Sequence, residues 1–202
     1  MGKISVSQHP DFVRFVSGGR VFYLRREAYN ALTAMTEAAK KEGISLVVVS
    51  AFRSFDDQKR IWETKWKRFA SSHPDPMKRC LTILRYSSAP GTSRHHWGTD
   101  VDLVSINPNF FKTKQGQRIL AWLETHAPSY GFERPYTPLS QRTGGYEEEP
   151  WHWSYRLLAT NYLSLYINTI TPEDITGFSG SDSLKEVDLF SYILGISPRL
   201  LP

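Results

Sequence analysis

From Leu24 to Lys41 the apolar residues Ala28, Leu32, Met35 and Ala39 recur at helical spacing, and Gly43 follows as a stop signal. Directly behind stands Ile44-Ser-Leu-Val-Val-Val49, a β-branched run too short for a helix, bounded by Gly43 and Ser50, which reads as a buried strand. A one-faced helix feeding a buried strand constrains the fold most, because both need a common core to cover them.

The remaining pattern fills in around this pair. Ser54 offers an N-cap side chain with Asp56 and Asp57 behind it, which predicts a second helix from Ser54 through Trp66 to about Ala70, ended by His73-Pro-Asp-Pro76. Met77 to Tyr86 is helical again, and Ser87 to Ser93 is a loop by composition. Thr99-Asp-Val-Asp-Leu-Val104 alternates with period two, so a strand there puts Val101 and Leu103 on one face and Asp100 and Asp102 on the other. A helix is predicted over Gly116 to Thr125, a turn at Gln141-Arg-Thr-Gly-Gly145, a short aromatic strand at Trp151-His-Trp-Ser-Tyr155, and short helices with loops beyond. Helices mixed with non-repeating strands predict an α+β layer architecture. With no linker or internal repeat, the expectation is a single domain over residues 1–202, its motif-bearing core at about 24–156 and a helical extension at about 157–202.

At 40% hydrophobic residues the chain can bury an ordinary core without a disulfide or structural metal, so any metal it binds serves function. Cys80 is the only cysteine. The formal charge of +5 is spread along the chain with no basic block, the pattern of a solvated surface, and nucleic acid is not expected as a partner. No apolar stretch reaches the length of a signal peptide or of a membrane-spanning helix.

Three segments carry chemistry: Ser50-Ala-Phe-Arg-Ser54, Ser93-Arg-His-His-Trp-Gly-Thr-Asp-Val-Asp102 and Glu149-Pro-Trp-His-Trp153. A catalytic zinc site takes about three nitrogen or oxygen ligands and leaves a position free for water. His95, Asp102 and His152 meet that demand. Spacing alone leaves His96 open against His95 and Asp100 open against Asp102. Glu149, three residues before His152, can reach the same site and move a proton between water and a departing amine. Arg53, at the end of a buried strand, suits a substrate carboxylate or a polarised carbonyl. Taken singly these residues have plainer readings: a histidine between tryptophans is usually packed, Arg53 an ion-pair residue, and Ser50 or Ser93 a turn or cap. His9, His73 and His126 belong to that plainer class. Their joint occurrence is the argument.

These motifs resemble the VanY-type D-alanyl-D-alanine carboxypeptidases, which stand with lysostaphin-type peptidases and hedgehog domains in one zinc superfamily. The family pattern Ser-x-His-x-x-Gly-x-Ala-x-Asp matches Ser93, His95, Gly98 and Asp102, Glu-x-x-His matches Glu149 and His152, and an upstream Ser-x-x-Arg-Ser with a later Gln matches Ser50, Arg53, Ser54 and Gln58. The resemblance implies a small, mainly antiparallel sheet flanked by helices. It implies one Zn2+ held by His95, Asp102 and His152, Glu149 as general base, Arg53 as oxyanion or substrate anchor, and Ser50, Gln58 and Ser93 as substrate-contacting positions. It selects His95 over His96 and Asp102 over Asp100. The chain departs from the pattern at Asp100, where the family has Ala; an added carboxylate there can hydrogen-bond a metal-bound histidine, add charge near the metal, or face solvent.

The activity so implied is hydrolysis of the C-terminal peptide bond of a peptidoglycan stem peptide by a monomer. Its rivals are an L,D-carboxypeptidase, an endolysin-type peptidoglycan endopeptidase, and a silent zinc-containing wall-binding module, against which Glu149 argues. A substrate outside the membrane implies a periplasmic or extracellular location with the export signal removed, the cytoplasm being the alternative.

Overall fold

The computed structural model describes residues 1–202. Its first element is a hairpin, β1 (Phe12–Ser17) paired antiparallel with β2 (Arg20–Arg25), turning through Gly18 and Gly19 at φ 54° and 75°. Two successive left-handed residues match the twist of a two-residue hairpin, and glycine adopts them without a Cβ clash. The helical spacing alone extends the first helix back to Leu24. The structure ends β2 at Arg25 and starts α1 at Arg26, running to Lys41 with Ala28, Leu32, Met35 and Ala39 buried.

The β-branched run that follows is extended, but only β3 (Val48–Ser50) joins a ladder. Ile44, Leu46 and Val48 are buried while Val47 is exposed, so the run alternates and does not bury both faces. Then comes α2 (Phe55–Arg68), whose N-cap Ser54 and Asp57 form a reciprocal capping box. Asp75 caps α3 (Pro76–Leu84), with Pro76 at its first position. β4 (Asp100–Leu103) stops where Val104 takes a left-handed φ of 68°. Next are α4 (Lys114–His126), β5 (Phe132–Glu133), β6 (His152–Tyr155) and α5 (Arg156–Thr169), the last longer than the short helices expected there. Two short helices, α6 (Ser181–Leu184) and α7 (Leu189–Leu194), lie near the C-terminus. No helix is long and apolar enough to cross a membrane.

The main sheet has the order β3-β4-β6-β5, antiparallel throughout, which gives the α+β architecture. Register fixes its two faces. Val101 opposes Trp153 and Val48 opposes Leu103, and these side chains join Phe132, α1 and α4 in one apolar cluster. On the other face Ser50, Asp102 and His152 stand in one row across three strands, with Asp100 opposite Ser154 in the next row. A second apolar cluster joins Phe55, Trp62 and Ile83 to Leu163, Tyr166 and the C-terminal residues Leu189, Ile193 and Leu200.

Candidate metal centre and active-site cleft

Because cross-strand partners point the same way, the β4–β6 register alone brings Asp102 against His152. His95 arrives from a single 3-10 turn, Arg94–Trp97, closed by left-handed Gly98 at φ 72°. This segment is helical, so its two histidines diverge around a turn and do not alternate along a strand. His95 Nδ1 lies 2.8 Å from the carbonyl of Ala51, which leaves Nε2 facing Asp102 Oδ2 at 3.4 Å. His96 turns inward: Nδ1 donates to the carbonyl of Arg53 at 2.6 Å and Nε2 accepts from the amide of Gly91 at 3.1 Å. Burial pushes His96 down to about 3. It is a neutral tie between two loops, with no nitrogen left for a ligand.

Candidate ligand atoms of His95, Asp102 and His152 lie within 4.8 Å of one another, and all three residues are buried. Asp102 Oδ1 is buried with no hydrogen-bond partner, 3.7 Å from His152 Nδ1. An unpartnered carboxylate oxygen between two imidazoles is what a cation would satisfy, and the donor set of two imidazoles and one carboxylate suits zinc. Burial alone would raise the Asp102 carboxyl, yet His95, His152 and Arg53 hold it below the usual carboxylate range.

His152 has a carboxylate on either side, Asp100 Oδ2 at 2.9 Å from Nε2 and Glu149 Oε2 at 3.0 Å from Nδ1. Burial is the largest single influence and disfavours its charge, but these two hydrogen bonds together with the negative charges of Asp102 and Asp100 outweigh it and raise His152 to about 9. Asp100 sits at the outer nitrogen of this ring, away from Asp102, so the structure distinguishes the two aspartates by what each touches.

Arg53 follows β3 and lies 3.7 Å from Asp102 through Nη2. Its guanidinium is clamped by Ser50 Oγ at 2.9 Å and Gln58 Oε1 at 2.7 Å, and Gln58 Nε2 in turn donates to the carbonyl of Ser88 at 2.6 Å. Gln58 is fully buried behind the guanidinium. Ser50 and Gln58 therefore hold Arg53, while Arg53 and Ser93 are the predicted residues that line the cavity beside the three candidate ligands and Glu149.

That cavity has a volume of about 780 Å3. Its lining includes Lys65, Tyr86, Ser88, Phe111, Lys112 and Trp151. Tyr136 also lines it, its ring edge-on to His152 with centroids 5.0 Å apart, and burial raises its phenol well above the ordinary range. Tyr136, Lys65 and Arg94 escaped the sequence reading. Tyr136 and Lys65 lie outside the three motifs, and only adjacency to His95 marks Arg94. Of the three acidic residues in a row that line the cavity, Glu147 pairs with Arg85 and Glu148 with Arg134, each at 2.9 Å, while Glu149 meets His152.

The family model described as VanY, D-alanyl-D-alanine carboxypeptidase, matches residues 21–158. YodJ of Bacillus subtilis (strain 168), which carries a provisional carboxypeptidase name, is 34% identical over 139 residues, 66% of this chain and 46% of that protein. The structure of the vancomycin-resistance D,D-pentapeptidase VanY, solved as a mutant with Zn(II), superposes with a TM-score of 0.59 at 21% identity, covering 85% of this chain and 89% of that one. The LdcB LD-carboxypeptidase superposes with a TM-score of 0.60 at 26% identity, covering 93% and 82%. The chain spans about half the length of the curated relatives it matches. With a model match over most of its length and the same fold, the chain belongs to the VanY D-alanyl-D-alanine carboxypeptidase family.

Proposed function

We propose that this chain is a zinc-dependent D-alanyl-D-alanine carboxypeptidase that removes the C-terminal residue from peptidoglycan stem peptides. The observation that carries the reading is the convergence of His95, Asp102 and His152, with Glu149 beside them, on one cavity. One Zn2+ would be held by His95 through Nε2, by Asp102, and by His152 through Nδ1. When bound, it would supply Lewis acidity to the scissile carbonyl and to a water molecule.

The chain's own residues do the rest. Glu149 Oε2 takes one proton from the attacking water and delivers it to the departing amine nitrogen, so that hydroxyl adds to the carbonyl carbon as the C–N bond breaks. Arg53, held rigid by Ser50 and Gln58, offers a fixed fork to the substrate's terminal carboxylate or to the developing oxyanion. Glu147 and Glu148 pair with arginines, which leaves Arg53, Lys65 and Lys112 as cations facing the cavity and favours a substrate with a free carboxylate. In this reading residues 1–202 act as one peptidase unit and Ser93 contacts substrate. The work is done outside the cytoplasmic membrane, in the periplasm or beyond.

Zinc-loaded protein is expected to release D-alanine from a stem pentapeptide ending in D-Ala-D-Ala, read as loss of one residue by mass spectrometry. Absence of that release under zinc saturation rejects the assignment. The likeness to the LdcB LD-carboxypeptidase supports a second reading, cleavage of the L,D bond of a tetrapeptide, and the same assay on tetrapeptide separates the two.

A further inference from the structure

We propose that Asp100, supported by Arg94, Thr99 and Ser154, is a positioning residue that fixes the ring of His152 from behind and presents its Nδ1 to the metal. The inference rests on the metal-site reading above and concerns the one motif position where this chain departs from the pattern it otherwise matches.

Asp100 is fully buried and its four acceptor directions are all taken. Oδ2 accepts from Arg94 Nε at 3.0 Å and faces His152 Nε2 at 2.9 Å; Oδ1 accepts from Thr99 Oγ1 at 2.6 Å and from Ser154 Oγ at 2.9 Å. Arg94 is equally buried, donates through Nη2 to Ser154 Oγ at 2.7 Å, and lies over the ring of Trp97 at 4.8 Å. The carboxylate is therefore immobile, and it cannot turn to the candidate metal position without abandoning three other donors.

Two consequences follow for the metal site. With Nε2 held by Asp100, Nδ1 is the nitrogen of His152 left facing Asp102 and Glu149, so the ring angle is set before an ion arrives. A carboxylate on the outer nitrogen also strengthens the imidazole as a donor, and losing such a partner weakens metal binding by about 10- to 100-fold in comparable sites. The second consequence concerns charge. The Arg94 guanidinium cancels the added carboxylate locally, so Asp100 orients His152 without making the site more anionic. Of the three roles open to Asp100 in the sequence, this arrangement selects the hydrogen bond to the histidine. Strand register supplies the reason: Asp100 opposes Ser154 one row from Asp102 and His152, on the same sheet face.

The test uses the full chain. Zn2+ affinity is measured by competition with a chromophoric chelator, and the Co2+-loaded protein is followed by its visible absorption bands, which report ligand geometry independently of turnover. Asp100→Ala is expected to raise the Zn2+ Kd by about 10- to 100-fold and to alter the cobalt bands. Asp100→Asn, which keeps an acceptor oxygen for His152 Nε2, is expected to recover part of both. Because Asp100→Ala strands a buried guanidinium and can impair folding, Arg94→Leu/Asp100→Ala serves as the folded counterpart with the same expected loss. A purely structural role would lower unfolding stability in these variants while leaving Kd and spectrum at wild-type values; that result overturns the proposal. Wild-type protein that takes up neither ion overturns the metal-site reading itself, and this inference falls with it, whereas equal binding by wild type and variants overturns this inference alone.

Discussion

Gly98→Ala tests how the motif turn is built. Gly98 closes the 3-10 turn that carries His95, at φ 72°. An L-residue there pays about 1–2 kcal/mol for the left-handed conformation. Part of this is offset by the smaller conformational freedom of Ala in the unfolded chain, leaving about 1 kcal/mol. The added methyl group would also press on the Phe12 ring, 2.7 Å from Cζ and nearer still to Cε1. That ring cannot swing away: it is 7% exposed, edge-on to His9 and Phe52 at centroid distances of 5.3 Å, and covered by the Arg25 guanidinium at 4.9 Å. Forcing a methyl group into such a site adds about 2 kcal/mol. The total is about 3 kcal/mol, or a fall in Tm of about 6–12 °C for a chain of this size. Gly19→Ala is the control. Its φ is 75°, and nothing lies within 4 Å of its added Cβ, so it should lose only the backbone share of about 1 kcal/mol. Both variants are unfolded in urea with chelator present, so that metal binding does not contribute to the difference. Equal losses in the two would refute the packing argument, and a loss at Gly98 no larger than about 1 kcal/mol would refute the sum.

Glu149→Gln is expected to keep its metal and to lose about 10²- to 10⁴-fold in turnover, measured on stem peptide with metal content determined in parallel; undiminished turnover rejects Glu149 as the base. His95→Ala and Asp102→Ala are each expected to lose the ion by elemental analysis, whereas His96→Gln is expected to keep it and to lose stability through its loop ties to Arg53 and Gly91. Trp153→Ala, which empties a buried site between α1, α4 and the sheet, should cost about 3–5 kcal/mol in denaturant unfolding. Cys80 is fully buried, and burial pushes its thiol up to about 11, so a disulfide reagent at pH 8 should label it only as fast as the protein unfolds; prompt labelling of native protein would contradict that burial.

Much of the site was legible locally. Helical spacing gave α1, the Ser54–Asp57 pair gave the start of α2, and the period-two pattern put Asp100 and Asp102 on one face. The β1–β2 hairpin was also written in the sequence, in the Gly18-Gly19 turn between alternating strands, and reading Leu24 as helical hid it. Local periodicity describes neighbours along the chain. It could not say that His96 would be spent on Arg53 and Gly91, or that Ser50 and Gln58 would grip Arg53. Nor could it say that Asp100 would meet His152 while Asp102 kept an oxygen unpartnered. Each of those outcomes depends on a hydrogen-bond partner brought from a distant segment by strand register and loop packing. Residue type and local period are enough to name the candidates for a metal site and to put two carboxylates on one face; which nitrogen and which carboxylate meet there depends on contacts between segments far apart in the chain.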